Sequence, residues 1–299
     1  MMGQYVATIG FFDGVHSGHR YLIQQVMAQA QSRGLQSMVV TFPVHPRRVL
    51  QADYQPRLLT TKDEKLELLR QTGIDRLVWL DFDRQMAAMT AREFMQMLRD
   101  EYAVRVLVIG YDHRFGHGRT ESFEDYVAYG RQLGMETVRA NELQGGISST
   151  VARRALLAGD VQLAHHTLGY RYFLQGCVVH GFQNGTRMGF PTANLQLDAE
   201  KLVPMNGAYS VSVTIEGETD PHQGMLNIGH RPTLDNGNAR SIEVHIFDWH
   251  GDLYGQQLRV ELDDFLRPER KFQSVADLRS QLEADRAECL RRSFLIPHS

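Results

Sequence analysis

The sequence predicts an α/β domain built on a parallel sheet, followed by an antiparallel β-barrel with a terminal helix. Three observations predict this. The chain has 299 residues, and at about 150 residues per domain that leaves room for two cores. Residues 1–158 alternate short β-branched runs with longer amphipathic stretches, the pattern of parallel strands joined by helices. Over residues 159–299, helix-period segments give way to period-2 runs separated by Gly, Asn and Pro, as in an antiparallel barrel or sandwich. The join is expected between Gly159 and Phe173.

Within the first half, Tyr5–Gly10 reads as a strand. Arg20–Ser32 reads as a helix, with Leu22, Ile23, Val26, Met27 and Ala30 on one side. Strand Ser37–Phe42, helix Lys62–Gln71, strand Arg76–Leu80, helix Ala91–Glu101 and strand Val104–Gly110 follow. Another helix is expected over Thr150–Leu157. In the second half, Gln175–His180, Tyr209–Ile215, Ile242–Asp248 and Leu258–Asp263 read as strands, and Val275–Leu290 as a helix covering them. Sheets of the first kind bind ligands where the carboxyl ends of the strands meet the helix starts.

Composition narrows the class of function. Hydrophobic residues make up 42% of the chain, too many for disorder, and 32 Lys and Arg against 35 Asp and Glu give a net charge of −3. No broad basic surface for nucleic acid follows from that balance. No apolar stretch approaches the ~18 residues of a membrane span, and the start MMGQYVATIGFFDG has no basic region before an apolar one. Cys177 and Cys289 are too few for a disulfide framework or a metal cage. The expectation is a cytoplasmic protein with reduced thiols and small-molecule ligands, with no nucleic-acid, membrane or obligate protein partner.

The densest chemistry near the start is Gly10-Phe11-Phe12-Asp13-Gly14-Val15-His16-Ser17-Gly18-His19. It follows a strand and precedes a helix, where N–H groups point outward and glycines let the backbone approach a phosphate. Gly10, Phe12, Asp13 and Gly14 are therefore candidates for a nucleotide-phosphate turn. Imidazoles three residues apart can project to one side of a turn and donate to phosphate oxygens. The alternatives are a zinc pair, which needs further ligands, and a structural turn with incidental histidines. Ser148-Ser149-Thr150 stands at a helix start with Arg153 one turn on, a cradle for polyphosphate or a plain N-cap. Thr41-Phe42-Pro43-Val44-His45-Pro46 and Gly110-Tyr111-Asp112-His113-Arg114-Phe115-Gly116 complete the set.

Together these segments resemble the FAD synthetase (FMN adenylyltransferase) module of bacterial bifunctional riboflavin kinase/FAD synthetases, in order and spacing, over about the first 155 residues. Leu58–Leu69 (LLTTKDEKLELL) and Asp81–Phe94 share the likeness. Three positions depart from the family pattern: Phe11, the shifted proline in Thr-Phe-Pro-Val-His-Pro, and His113 in place of Phe. The resemblance implies attack by the FMN phosphate on the α-phosphorus of ATP. It gives the ATP phosphates to His16 and His19 and the polyphosphate to Ser148, Ser149 and Arg153, with Asp112 and Phe115 as candidates for the flavin.

In the second half, Pro191 leaves Thr192 and Asn194 on one face of an extended segment. A hydroxyl and an amide carbonyl are hard oxygen ligands suited to Mg²⁺ on a nucleotide, and Gly189 lets backbone N–H groups meet its phosphates. Glu243, His245 and Phe247 share one face of a strand, where an acid is either a paired structural charge or a general base. Gly176–Leu195, Gly207–Tyr209, Asn227–Thr233, Glu243–Asp248, Asp252–Gly255 and Phe265–Phe272 resemble the riboflavin kinase module, a six-stranded barrel. The likeness implies that Glu243 deprotonates the ribityl 5′-hydroxyl of riboflavin for attack on the γ-phosphorus of ATP, with Mg²⁺ on Thr192 and Asn194. The usual basic position before Gly189 is Thr186, with Arg187 next to it.

Joined, the two modules would make FMN from riboflavin and FAD from FMN, using ATP twice. An enzyme retaining one activity would lack a candidate group for the other, and none is missing. A flavin-responsive regulator should have lost Glu243 or the histidine pair and gained a nucleic-acid motif. Neither is the case.

Overall fold

The computed structural model describes residues 3–51, 53, 55–180, 189–230 and 240–293. The chain forms two compact units, Met1–Ser149 and Thr150–Ser299.

The first unit runs β1 (Tyr5–Ile9), α1 (Ser17–Arg33), β2 (Gln36–Thr41), α2 (Pro46–Leu50), α3 (Lys62–Arg70), β3 (Arg76–Trp79), α4 (Arg84–Ala88), α5 (Ala91–Tyr102), β4 (Val104–Ile109), α6 (Phe123–Leu133) and β5 (Glu136–Arg139). Its strands pair in parallel in the order β3-β2-β1-β4-β5. Val6–Ile9, Met38–Thr41 and Val106–Ile109 are buried without a break, as expected for strands covered on both faces. Ala7, Ile9, Met38, Val40, Leu107 and Ile109 pack with Phe94, Met95, Leu98 and Tyr126 of α5 and α6. Val6, Val106 and Val108 pack with Val26 and Ala30 of α1. Strand order reverses at β1, so the loops after β1 and β4 diverge and leave a crevice at the strand ends.

Each predicted strand and helix of this half is present. α6 and β5 were not indicated by the hydrophobic pattern. β5 is a half-buried edge strand with Glu136 and Arg139 exposed, so it shows no apolar run. The signal for α6 was polar: Ser122 and Asp125 form a capping box, repeated by Thr61 with Glu64 and Thr90 with Glu93.

Beyond α7 (Ser149–Ala158), the second unit continues with α8 (Val161–Leu168), β6 (Phe173–Val179), β7 (Ala193–Leu197), β8 (Gly207–Ile215), β9 (His222–His230), β10 (Arg240–Ile246), β11 (Gln257–Pro268) and α9 (Val275–Ser293). The expectation that helices cease near residue 159 is corrected by α8. Its Asp160 cap accepts from the Leu163 N–H at 3.0 Å, and Gly169 (φ 76°) ends it after eight residues, too few for a visible helical period.

The strands form a closed antiparallel barrel in the order β10-β7-β6-β11-β8-β9. Leu258, Val260 and Leu262 are fully buried, with partly exposed Arg259 and Glu261 between them, the alternation of a sheet with one inward face. Gly207 is required where β8 meets the end of β11, since a Cβ there would lie 2.4 Å from the Arg267 carbonyl oxygen.

α9 covers the outside of the barrel, its Cys289, Leu282 and Leu290 meeting Phe190, Met225 and Phe247. A fork of bonds pins it: the Arg267 guanidinium donates to the Asp285 carboxylate at 2.7–3.1 Å, and Gln281 Nε2 donates to the same group at 2.6 Å. Asp285 is only 5% exposed. Asp285→Ala strands the guanidinium against an apolar seat and should cost on the order of 3 kcal/mol. The check is the chemical-denaturation midpoint, with an unchanged midpoint counting against the clamp.

Candidate functional site

In the first unit, the turn between β1 and α1 lies at the switch in strand order. Phe12 (φ 55°) and Gly14 (φ 77°) are left-handed, and a bulky residue there is held only by strong surroundings. Those surroundings are visible. Asp13 is buried, and its Oδ1 accepts from the N–H groups of Leu59 at 2.9 Å and Thr60 at 3.2 Å. The Gly14 N–H donates to Thr60 Oγ1 at 3.1 Å, and the Asp13 carbonyl accepts from Ser149 Oγ at 2.9 Å.

His16 is the N-cap of α1, with Nδ1 accepting from the His19 N–H at 3.3 Å. The two rings stack at 3.6 Å between centroids, 18° from parallel, so the pair shares one side of the turn. Burial pushes His16 down to about 4, against a counter-pull from Asp112. Burial likewise takes His19 well below its ordinary value, aided by His16, His113 and Lys65. Both imidazoles are therefore neutral near pH 7. Because Nδ1 of His16 accepts, its one proton sits on Nε2 as a donor. Nδ1 of His19 and Nε2 of His113 are buried without a hydrogen-bond partner among the described residues.

Ser148 precedes α7 and Ser149 opens it, while Thr150 and Arg153 follow along that helix in the second unit. Gly10 stands just past β1, where an added Cβ would meet the Phe12 ring at 3.0 Å. Asp112 is exposed beyond β4. Phe115 is buried in the core, stacked on Tyr126 at 4.4 Å. Sequence reasoning missed Lys65. Its signal was a lysine on the apolar side of α3, beside Leu68 and Leu69.

In the second unit, β7 and β10 close the barrel with Asn194 opposite Glu243. Asn194 is buried, and Thr192 Oγ1 lies 3.5 Å from Glu243 Oε2. His245 Nδ1–H donates to the Pro191 carbonyl at 2.7 Å, which holds the segment leading to Thr192. Burial lowers the His245 value, so this ring is a neutral brace.

Two cavities meet here. One of about 310 Å³ contains Glu243, His245 and Thr192 with Phe190, Phe272 and Leu282. The other, about 280 Å³, contains Thr192, Ala193, Val178, Trp249, Asp252 and Tyr254. Gly189 (φ 80°) is exposed just ahead of them. Thr186 and Arg187, like residues 231–233, lie outside the described residues. No group of three or more His, Cys, Asp or Glu that could hold a metal occurs among the described residues. The hydroxyl of Thr192 and the amide oxygen of Asn194 are hard donors, a pair that fits Mg²⁺ shared with phosphate and water.

The FAD synthetase family model matches residues 2–151 and the riboflavin kinase model residues 168–293. The bifunctional riboflavin kinase/FMN adenylyltransferase of Escherichia coli K12 is 39% identical over 97% of this chain and 92% of its own length. That of Bacillus subtilis is 34% identical over 96% and 92%. A solved Streptococcus pneumoniae structure described as a macrolide-efflux protein is 33% identical, with a TM-score of 0.87 over 96% of this chain and 94% of that one. In the present chain no helix among the described residues is long and apolar enough to cross a membrane. Matches to both models, and relatives of this identity along nearly the whole length, show that the chain belongs to the bifunctional riboflavin kinase/FMN adenylyltransferase family.

Proposed function

We propose that the second unit phosphorylates riboflavin at the Glu243–Thr192 junction and that the first adenylylates the resulting FMN over the His16–His19 turn. The chain is thus a riboflavin kinase and an FMN adenylyltransferase, with riboflavin, FMN and ATP as substrates. The observation that carries the kinase assignment is that Thr192 lines both barrel cavities and stands 3.5 Å from the acid. The Glu243 cavity, with Phe190 and Phe272 in its wall, suits the flat flavin. The neighbouring cavity suits the nucleotide, so the two substrates meet at Thr192. Glu243 takes the proton of the 5′-hydroxyl, the oxygen attacks the γ-phosphorus, and ADP leaves. Thr192 and Asn194 would hold Mg²⁺, which when bound neutralises charge on the nucleotide phosphates.

For adenylyl transfer, an FMN phosphate oxygen attacks the α-phosphorus and pyrophosphate leaves. The neutral imidazoles act as positioned donors, with His16 giving its Nε2–H, and the buried, unpartnered Nδ1 of His19 marks a bond for a ligand to complete. Ser148, Ser149, Thr150 and Arg153 would take the remaining phosphate oxygens. Within the turn, Gly10 and Gly14 give room for the phosphates, while Asp13 and Phe12 hold its shape. Asp112, exposed beyond β4, would meet the flavin, with Phe115 supporting its loop from the core. Two ATP-consuming steps favour a cytoplasmic location.

The test is incubation with riboflavin, ATP and Mg²⁺ followed by chromatography over time. FMN should appear first and FAD after it. FAD formed only from supplied FMN, or no FAD at all, would refute one half of the assignment.

A further inference from the structure

We infer that Lys65 of α3 is a positioning residue for adenylyl transfer, clamping the phosphate turn to the loop after β2. This rests on the reading of the first unit given above. Lys65 is 2% exposed, a rare place for an ammonium. Its Nζ donates to the Phe11 carbonyl at 3.0 Å and to the Phe42 carbonyl at 2.8 Å. Those carbonyls belong to the two segments that leave the sheet after β1 and β2. The ammonium also lies 3.8 Å from the centre of the Phe11 ring and 5.2 Å from that of Trp79, a cation–π seat that a neutral side chain of equal length would lose.

The segment leading into the same helix grips the turn a second time. Asp13 accepts from the main chain at Leu59 and Thr60, just ahead of the Thr61–Glu64 capping box that starts α3. The turn is thus tied on both sides, by a carboxylate reaching out to residues 59–60 and by an ammonium reaching in to residue 11. The left-handed Phe12 stands between these ties, and the left-handed Gly14 follows Asp13, its N–H on Thr60 Oγ1; both relax unless held. A small displacement of such a turn moves the donors of His16 and His19 away from the α-phosphorus, and misplacement by about 1 Å costs about 10²-fold.

The charge has a role of its own. The groups around Lys65 are Asp13 from the turn, His19 from α1 and Lys62 on its own helix, which shares the Trp79 ring. Burial draws Lys65 down to about 7, with Asp13 pulling back. The folded value lies below the ordinary 10.5, so between these limits the unfolded chain binds the proton that the native chain releases. Stability of the first unit therefore rises with pH across that window. The clamp behaves oppositely: it weakens as the proton leaves, because a charge-assisted bond is about twice as strong as a neutral one. His16 is near 4 and His19 well below its ordinary value, so neither titrates in this window.

The experiment uses the full chain and reads both activities. K65M should lower kcat for FAD formation from supplied FMN by about 10²-fold, with little change in KM for ATP. Riboflavin phosphorylation should hold at the wild-type rate, while the thermal unfolding of the first unit, followed separately, serves as the fold control. K65R, keeping a charged donor, should restore most of the lost kcat. In the wild type, kcat/KM for FAD formation relative to that of the kinase should fall as pH rises through about 7, while the melting temperature of the first unit rises. Wild-type kcat in K65M, or a pH profile that follows stability upward, overturns the inference. If K65M fails to fold, the wild-type pH arm decides alone. A wild-type chain that makes no FAD from FMN sinks the adenylyltransferase reading instead.

Discussion

Glu243→Gln should abolish the conversion of riboflavin to FMN while leaving the adenylylation of supplied FMN at its wild-type rate. The amide keeps the volume of the acid and its place across from Asn194, but it cannot accept a proton from the 5′-hydroxyl. General-base catalysis contributes about 10²–10⁴-fold, and the loss should appear in kcat with modest change in either KM. Selectivity is expected because Glu243 sits in the barrel, in a chain whose two units have separate cores. The measurement is ADP release with riboflavin set beside pyrophosphate release with FMN. Equal loss of both would argue for one shared site.

The mirror experiment is His19→Ala. It removes a donor from the proposed adenylyl-transfer site and should slow FAD formation by about 10²–10³-fold, with riboflavin phosphorylation intact. His16→Ala should lose as much activity and also some stability, since the His16 ring caps the His19 N–H at the start of α1. Loss of a cap costs about 1 kcal/mol. A His19→Ala enzyme that still makes FAD near the wild-type rate refutes the assignment. Both imidazoles are neutral near pH 7, so their substitution should not change the pH profile between 6 and 8.

Much of this was legible in the sequence, for physical reasons that can be named. The parallel strands declared themselves because they are buried on both faces, and α1 because its apolar side repeats at helical spacing. The histidine pair was readable because three residues make one turn of helix, and that turn now brings the rings to 3.6 Å. What stayed hidden depends on partners distant in the chain. Lys65 stands on the apolar side of its helix by sequence, but its partners, two carbonyls 54 and 23 residues away, meet it only in the folded chain. Asp13 looks like a phosphate-side polar group until the main chain at Leu59 and Thr60 turns its carboxylate inward. Phe115 stands in a loop by sequence, and only Tyr126 on α6 shows it to be core. α8 was missed because eight residues with His165 and His166 among them carry too short a period.

The barrel is joined unevenly. Among the described residues β8 and β11 run together over nine paired positions, whereas β7 and β10 share two, one of which is Asn194 with Glu243. The acid and the amide proposed for the kinase site thus straddle the most lightly stitched joint of the ring. Local opening is cheapest where fewest backbone bonds must break, so this joint is where the cylinder opens at least cost while the remaining five ladders keep it whole.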